Sequence, residues 1–191
     1  MDYLKLPPVD YYQLKVEYHS IVLENKMNIT EDIQNAIRFL KKNANTYFID
    51  TSRVVVFGGS AGGALSLLNA IEFDAAIGTN DHPGFSSRTN GSIATGATLI
   101  NDDPASQQGT LHYDSFDSPV LMFHAKENDS STGATWSGSA VPTQQAINNS
   151  GNSCTLVAQP NMTHTVVLEL AGDYWQYLRP FLWEKLRLDE L

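Results

Sequence analysis

The chain is 191 residues long, which is the size of one domain with a single buried core. Its 21 acidic residues outnumber its 12 basic residues, and the formal net charge of −9 argues against a nucleic-acid partner, because phosphates need clusters of Lys and Arg. The purely apolar runs are only as long as strands, far short of the roughly 20 residues that cross a bilayer, so we expect one soluble domain, residues 1–191, without a membrane span.

The first part of the chain predicts one strand and one helix. Val9–Ile21 alternates loosely and is rich in Tyr and Val, which favours a strand with Leu14–Tyr18 at its centre. Thr30 is a candidate N-cap, and the two acids that follow it favour a helix start. Apolar residues then recur at helical spacing and predict one buried stripe: Ile33, Ala36, Ile37 and Leu40. The pattern fades through Lys41–Asn45, where we expect a loop.

The rest of the chain alternates between strand and helix patterns. Val54–Phe57 is a continuous β-branched and aromatic run, as expected of a strand covered on both faces. Further strands are predicted at Ser92–Ile100, Val120–His124 and Thr155–Gln159. Helices are predicted at Ala64–Ile71, Val141–Asn149 and Val166–Leu186, the last with a break near Pro180. This alternation predicts an α/β fold with a doubly wound, mostly parallel sheet and flanking helices.

The strongest motif follows the strand at Val54–Phe57 and has the sequence Gly-Gly-Ser-Ala-Gly-Gly. A strand, a Gly-x-Ser-x-Gly turn and a helix form a nucleophile elbow, in which a sharp turn projects the Ser60 hydroxyl above the sheet. Gly58 and Gly62 satisfy the need for small neighbours that lets strand and helix approach. The helix N-terminus points at the serine, and the backbone N–H of Ala61 is a candidate oxyanion donor. The alternatives are a glycine-rich turn that only packs strand and helix tightly, or one that binds phosphate. Neither phosphate-binding glycine motif is present.

A serine nucleophile needs a base and an acid that orients the base, and in this fold they follow the serine in the order Asp or Glu, then His. His164 lies between the last predicted strand and the last predicted helix, where the base belongs; the other four histidines are out of order or lie on or before strands. The acid belongs in the loop after Val120–His124. That loop contains Asp129, which we favour, and Glu127 as the alternative.

Together these residues resemble small carboxylesterases and feruloyl-esterase-like enzymes of the α/β-hydrolase superfamily. Val16–His19 resembles the Glu-Tyr-Arg strand end of that family, and Glu31–Leu40 its next helix. Ile49–Val54 is similar to the lead into its elbow, and Gly58–Gly63 to its G-x-S-A-G-G turn. Pro119–His124 resembles the strand that precedes its acid. The match runs over nearly the whole chain.

The resemblance implies hydrolysis of small or aromatic acyl esters through an acyl-enzyme. Ser60 would attack the carbonyl, His164 would act as general base, and Asp129 would orient the imidazole; no metal or organic cofactor is implied. The family's His-Gly-Gly loop, which supplies oxyanion N–H donors, would lie some tens of residues before Glu17, so we expect an N-terminally shortened hydrolase. A sheet edge left without its first strands would favour self-association into a homo-oligomer.

Two other functions stay open at this point. A serine peptidase or amidase uses the same three residues, and nothing in the chain separates it from an esterase. The expected lack of the His-Gly-Gly loop favours a catalytically weak or inactive relative that acts as a binding module. The complete Ser, Asp, His order favours an enzyme instead, and ester hydrolysis that depends on Ser60 would separate the two.

The cysteine count and the first residues bear on where the protein acts. Cys154 is the single cysteine, which excludes an internal disulfide, and its place at the start of a strand-like run favours a buried structural thiol. The first eight residues lack the charged start, apolar stretch and cleavage site of a signal peptide. We therefore leave the location open between the cytoplasm and, for a shortened chain, secretion.

Overall fold

Four parallel strands form the sheet of the computed structural model, which describes residues 30–74, 81–102, 111–166 and 172–190. The strands are β1 (Val55–Gly59), β2 (Gly91–Thr95), β3 (Val120–Ala125) and β4 (Cys154–Gln159), and they lie side by side in chain order. Since all neighbouring pairs are parallel, every strand ends at the same edge of the sheet. The predicted parallel α/β sheet is confirmed.

Helices cover both faces of this sheet. They are α1 (30–42), α2 (Ala44–Tyr47), α3 (Ala61–Ile71), α4 (Val141–Asn149) and α5 (Trp175–Lys185), with a π-helical turn at Trp136–Ala140 and a 3₁₀ turn at Leu188–Glu190. One core packs α3 and α4 against the sheet through residues such as Leu67, Met122 and Ile147. A second core packs α5 against the other face through Phe123 and Phe181. Within the described ranges, none of the helices is long and apolar enough to cross a membrane.

The buried face of α1 differs from the predicted one. Of the predicted stripe only Ile37 is buried, whereas Leu40 is 42% exposed. Gln34 and Arg38 are buried instead, because each has a polar partner in the segment just after α3. The Gln34 amide donates to the main-chain oxygen of Glu72 at 2.8 Å, and the Arg38 guanidinium pairs with a carboxylate in the next turn of chain, Asp74, at 3.0 Å.

Several predicted boundaries also move. The helix after the elbow begins at Ala61, three residues earlier than predicted, because Gly62 and Gly63 form its first turn. β2 ends at Thr95, well before the predicted end, because the next residue has a positive φ and turns the chain. The last helix begins at Trp175 and continues through Pro180, so the predicted break is wrong.

Three further expectations concern the edge strand and the early chain. β1 is the edge of the four described strands, and Phe57 on it is 54% exposed in the described part of the chain, whereas the sequence predicts a strand covered on both faces. A short helix, α2, occupies part of the predicted loop. The predicted strand Val9–Ile21 lies outside the described residues. Cys154 is buried at 5% exposure, as predicted, and burial raises the pKa of its thiol to about 12.

Candidate active site

Ser60 stands on a strained turn between β1 and α3. Its backbone has φ 55° and ψ −123°, a conformation that residues with a side chain rarely adopt. The main-chain N–H of Ser60 donates to the oxygen of Thr95 at 2.9 Å, which ties the turn to the end of β2. This is the geometry of a nucleophile elbow, with the serine just beyond the strand end and just before the helix.

Two glycines make this turn sterically feasible. A Cβ at Gly58 would lie 2.1 Å from the main-chain oxygen of Gly62, so no other residue fits there without moving the backbone. A Cβ at Gly63 would lie 3.0 Å from the oxygen of Thr95, which is also tighter than ordinary contact. A Cβ at Gly62 would meet nothing within 4 Å, so the predicted need for a small residue there is wrong. The close approach of strand and helix depends on Gly58 and Gly63.

The structure brings the three predicted side chains into one chain of hydrogen bonds. His164 Nε2 lies 2.8 Å from Ser60 Oγ, and His164 Nδ1 lies 2.7 Å from Asp129 Oδ2. Ser60 directly follows β1, Asp129 lies in the loop after β3, and His164 lies in the loop after β4. Both distances are within the range for proton transfer, so the arrangement can activate a hydroxyl as a nucleophile.

The loop after β3 holds Asp129 as a buried carboxylate. Its side chain is 1% exposed, and its Oδ1 accepts the N–H groups of Ser131 and Thr132 at 2.9 and 2.8 Å. Burial by itself would raise the pKa of the carboxyl, but the hydrogen bonds from His164 and from the two amides outweigh it and hold the pKa below its usual value. Asp129 is therefore ionised at neutral pH.

Glu127, the alternative acid, is exposed and lies at the edge of the same loop. Its main-chain oxygen accepts the N–H of Trp136 at 2.9 Å, and the next residue, Asn128, pairs with Thr135 in an isolated bridge. These backbone bonds close the loop around Asp129. The structure thus places Asp129, rather than Glu127, against the imidazole of His164.

The last residue of β4 forms hydrogen bonds to the loop that carries His164, which we call the histidine loop. The side-chain amide of Gln159 donates to the main-chain oxygens of Thr163 and His164, at 2.6 and 3.2 Å. Gln159 is 2% exposed, so these are buried hydrogen bonds. No sequence pattern points to this residue, since a glutamine at a strand end has many uses and only the folded chain shows which groups it bonds to.

The N-terminus of α3 faces the same place. Ala61 is the first residue of this helix and directly follows Ser60. The first N–H groups of a helix have no acceptor inside the helix, and the helix dipole adds partial positive charge there. Ala61 is exposed, and its N–H is one of these first helical N–H groups. In the described parts of the chain, no group of His, Cys, Asp or Glu side chains is arranged to hold a metal ion.

Comparison with protein families gives a match over most of the chain. The sequence model of a family described as BD-FAE matches residues 4–159. One curated protein, endo-1,4-beta-xylanase B of Butyrivibrio fibrisolvens, is 39% identical over 64 residues. That stretch is 33% of this chain and 10% of the xylanase, so the chain spans about a tenth of the length of this relative.

The solved structures that share this fold include esterases and a related hydrolase. A thermophilic esterase from Thermogutta terrifontis, bound to butyrate, has a TM-score of 0.60 at 20% identity, over 84% of this chain and 64% of that chain. A truncated carbohydrate esterase from gut microbiota has a TM-score of 0.64 at 16% identity, over 83% and 68%. An acetyl ester-xyloside bifunctional hydrolase from Caldicellulosiruptor lactoaceticus has a TM-score of 0.63 at 21% identity, over 83% and 65%. At these identities the likeness shows a shared fold.

Proposed function

The chain belongs to the BD-FAE family of α/β-hydrolase-like esterases, and we propose that it hydrolyses carboxylic esters with Ser60, His164 and Asp129 as a catalytic triad. The observation that carries this proposal is the 2.8 Å distance between Ser60 Oγ and His164 Nε2, on a backbone turn that no serine adopts without cost. Strain of this kind is kept where function requires a particular geometry.

In the first half of the proposed reaction, Ser60 Oγ attacks the ester carbonyl. His164 Nε2 takes the hydroxyl proton as the bond forms, and the carbonyl oxygen becomes an oxyanion that the Ala61 N–H stabilises. The tetrahedral intermediate collapses when His164 returns the proton to the departing alkoxide. The acid part of the ester then remains bound to Ser60 as an acyl-enzyme.

In the second half, water takes the place of the alcohol. His164 removes a proton from the water as it attacks the acyl carbon, and then protonates Ser60 Oγ as the carboxylic acid leaves. Asp129 keeps the Nδ1–H of the imidazole pointing at itself, so that Nε2 is the free base in each half-reaction. Because the pKa of Asp129 is lowered, the carboxylate also stabilises the imidazolium that forms twice per cycle.

We propose small or aromatic acyl esters as the substrates, with acylated carbohydrates as the first natural class to assay. The relatives by sequence and by fold include a xylanase, a carbohydrate esterase and an acetyl ester-xyloside hydrolase. An acyl group on a sugar hydroxyl is a carboxylic ester, which the proposed chemistry cleaves.

The test is hydrolysis of p-nitrophenyl acetate and butyrate by the wild type and by Ser60→Ala, purified in parallel. The variant removes only the nucleophilic oxygen, so its circular dichroism should match that of the wild type. We expect turnover by the wild type and a loss of at least about 10⁴-fold in Ser60→Ala. Equal turnover by both proteins would show that Ser60 is not the nucleophile.

The same proteins separate the rival functions. Turnover of a p-nitroanilide at a rate similar to the ester would favour the peptidase or amidase reaction. A well-folded wild type that hydrolyses neither substrate would favour the binding module. Ester hydrolysis alone supports the proposal.

A further inference from the structure

The last residue of β2 contacts both the turn that carries the nucleophile and the histidine loop. This residue, Thr95, is 1% exposed, and its main-chain oxygen accepts the N–H of Ser60 at 2.9 Å. Its side-chain oxygen accepts the N–H of Val166, also at 2.9 Å. Val166 follows His164 by two residues, so one buried threonine bonds to both the elbow and the histidine loop.

The two ends of the Thr95 side chain have different neighbours. The hydroxyl bonds to the histidine loop, whereas the methyl carbon Cγ2 lies 3.5 Å from the position that a Cβ at Gly59 would take. Gly59 directly precedes Ser60, so the methyl group lies next to the elbow. A serine here would keep the hydroxyl and lose the methyl, and a valine would keep the methyl-sized shape and lose the hydrogen bond.

The next residue, Gly96, leaves room for the base. Its φ is 64°, and its N–H donates to the oxygen of Phe123 on β3 at 3.1 Å. A Cβ at this position would lie 2.0 Å from the main-chain oxygen of His164 and 3.0 Å from its Nδ1. Any side chain at Gly96 would therefore push the imidazole away from where it lies.

We propose that Thr95 and Gly96 are positioning residues that set the distance between Ser60 Oγ and His164 Nε2. They touch no reacting atom and act through the loops that they hold, and the proposal rests on the esterase function proposed above. Proton transfer needs the 2.8 Å separation, and a displacement of about 1 Å costs about 10²-fold in rate. A single strand end thus fixes both partners relative to each other, which two independent loops would do less well.

The test compares Thr95→Val and Thr95→Ser with a matched control, Thr89→Val. Thr89 is 2% exposed, lies just before the opposite end of the same strand, and donates its hydroxyl to Ser118 Oγ at 3.3 Å. Both valine variants remove one buried hydroxyl, so both should lower stability by a similar amount. Only Thr95→Val should lower kcat, by about 10- to 100-fold with KM little changed, because it frees the histidine loop. Thr95→Ser should restore most of kcat.

A second readout does not need turnover. NMR signals of the His164 ring, assigned by comparison with His164→Gln, should move in Thr95→Val and stay at their wild-type positions in Thr89→Val. If the wild type hydrolyses no ester, the proposed function fails, while the ring signals still test the positioning. Gly96→Ala should displace the same signals further, provided that its circular dichroism shows it is folded.

Two results would overturn the inference. One is a Thr95→Val protein with wild-type kcat and unshifted His164 signals. The other is an equal loss of kcat in Thr95→Val and Thr89→Val, which would trace the effect to stability alone. Loss of kcat and moved signals confined to the Thr95 and Gly96 variants would support it.

Discussion

Replacing Asp129 with Asn should abolish ester hydrolysis and leave the fold intact, because the structure dictates which way the new amide faces. Asp129 Oδ1 accepts the N–H groups of Ser131 and Thr132 and lies 2.9 Å from His164 Nδ1, whereas Oδ2 lies closer to Nδ1, at 2.7 Å. An amide satisfies the two backbone donors only with its oxygen at the Oδ1 position. Its NH₂ group then points at the imidazole.

In that orientation the amide donates to Nδ1 of His164. Because the amide nitrogen takes the position closer to Nδ1, we expect the imidazole proton to move to Nε2. Nε2 can then no longer accept the proton of Ser60. The same change of tautomer in a serine protease lowers kcat by about 10⁴-fold, which corresponds to about 5.5 kcal/mol of transition-state stabilisation. The free energy of unfolding should fall by only about 1–3 kcal/mol, the cost of losing a charge-assisted hydrogen bond.

The assay is kcat for p-nitrophenyl acetate, with the free energy of unfolding measured in urea on the same preparations. Glu127→Gln is the matched control, because it removes the same charge from an exposed side chain of the same loop and should stay close to wild-type kcat. The reasoning is refuted if Asp129→Asn keeps more than about a tenth of wild-type kcat, far above the loss expected of a wrong tautomer. It is equally refuted if Glu127→Gln loses as much activity.

Three further predictions concern the elbow, a buried acid and the thiol. Gly58→Ala should destabilise the fold by about 3 kcal/mol or more, since its Cβ would lie 2.1 Å from a backbone oxygen. Gly62→Ala, whose Cβ has open space, should unfold at the same urea concentration as the wild type or at a higher one. Equal destabilisation by both variants would contradict the steric explanation. Burial raises the pKa of Asp117 to about 6, and nearby acids add to the effect, so the folded state keeps a proton that the unfolded chain releases near pH 4. The bound proton therefore stabilises the folded state fully below about pH 4, and this stabilisation is lost as the pH rises through 6. Asp117→Asn should stabilise the protein at pH 8, by at most about 3 kcal/mol, and have little effect at pH 4. Unfolding curves that show the same difference between variant and wild type at both pH values would count against this. Cys154, buried and with a pKa near 12, should react with a thiol reagent only after unfolding, and rapid labelling of the native protein would show that the site is open.

The residues of the candidate site follow from the sequence because each one follows a strand in a fixed order. Parallel strands end at one edge, so Ser60, Asp129 and His164 are expected at the same edge of the sheet once the strands are assigned. The strands themselves are marked by β-branched and apolar runs, and the elbow by its glycines. Local pattern is enough for this part of the structure.

The residues that support the site are invisible to the same reasoning. Thr95 acts through a hydrogen bond to Val166, 71 residues away in the chain, and nothing around Thr95 marks that partner. The prediction of the buried face of α1 is wrong for a similar reason, since burial of Gln34 accompanies its hydrogen bond to Glu72 and not its own hydrophobicity. Pro180 removes one helical hydrogen bond, yet the neighbouring Phe181 is buried in the core and the helix continues. Long-range partners override local preference at each of these positions.

That His164 activates Ser60 is tested most directly by covalent labelling. A serine nucleophile attacks the phosphorus of paraoxon and releases p-nitrophenolate, so each active chain gains one diethylphosphoryl group. We expect peptide mass spectrometry to place that group on Ser60 in the wild type, with labelling much slower in His164→Ala and absent from Ser60→Ala. A folded wild type that stays unlabelled, or a Ser60→Ala protein labelled at the wild-type rate, would contradict the proposed triad.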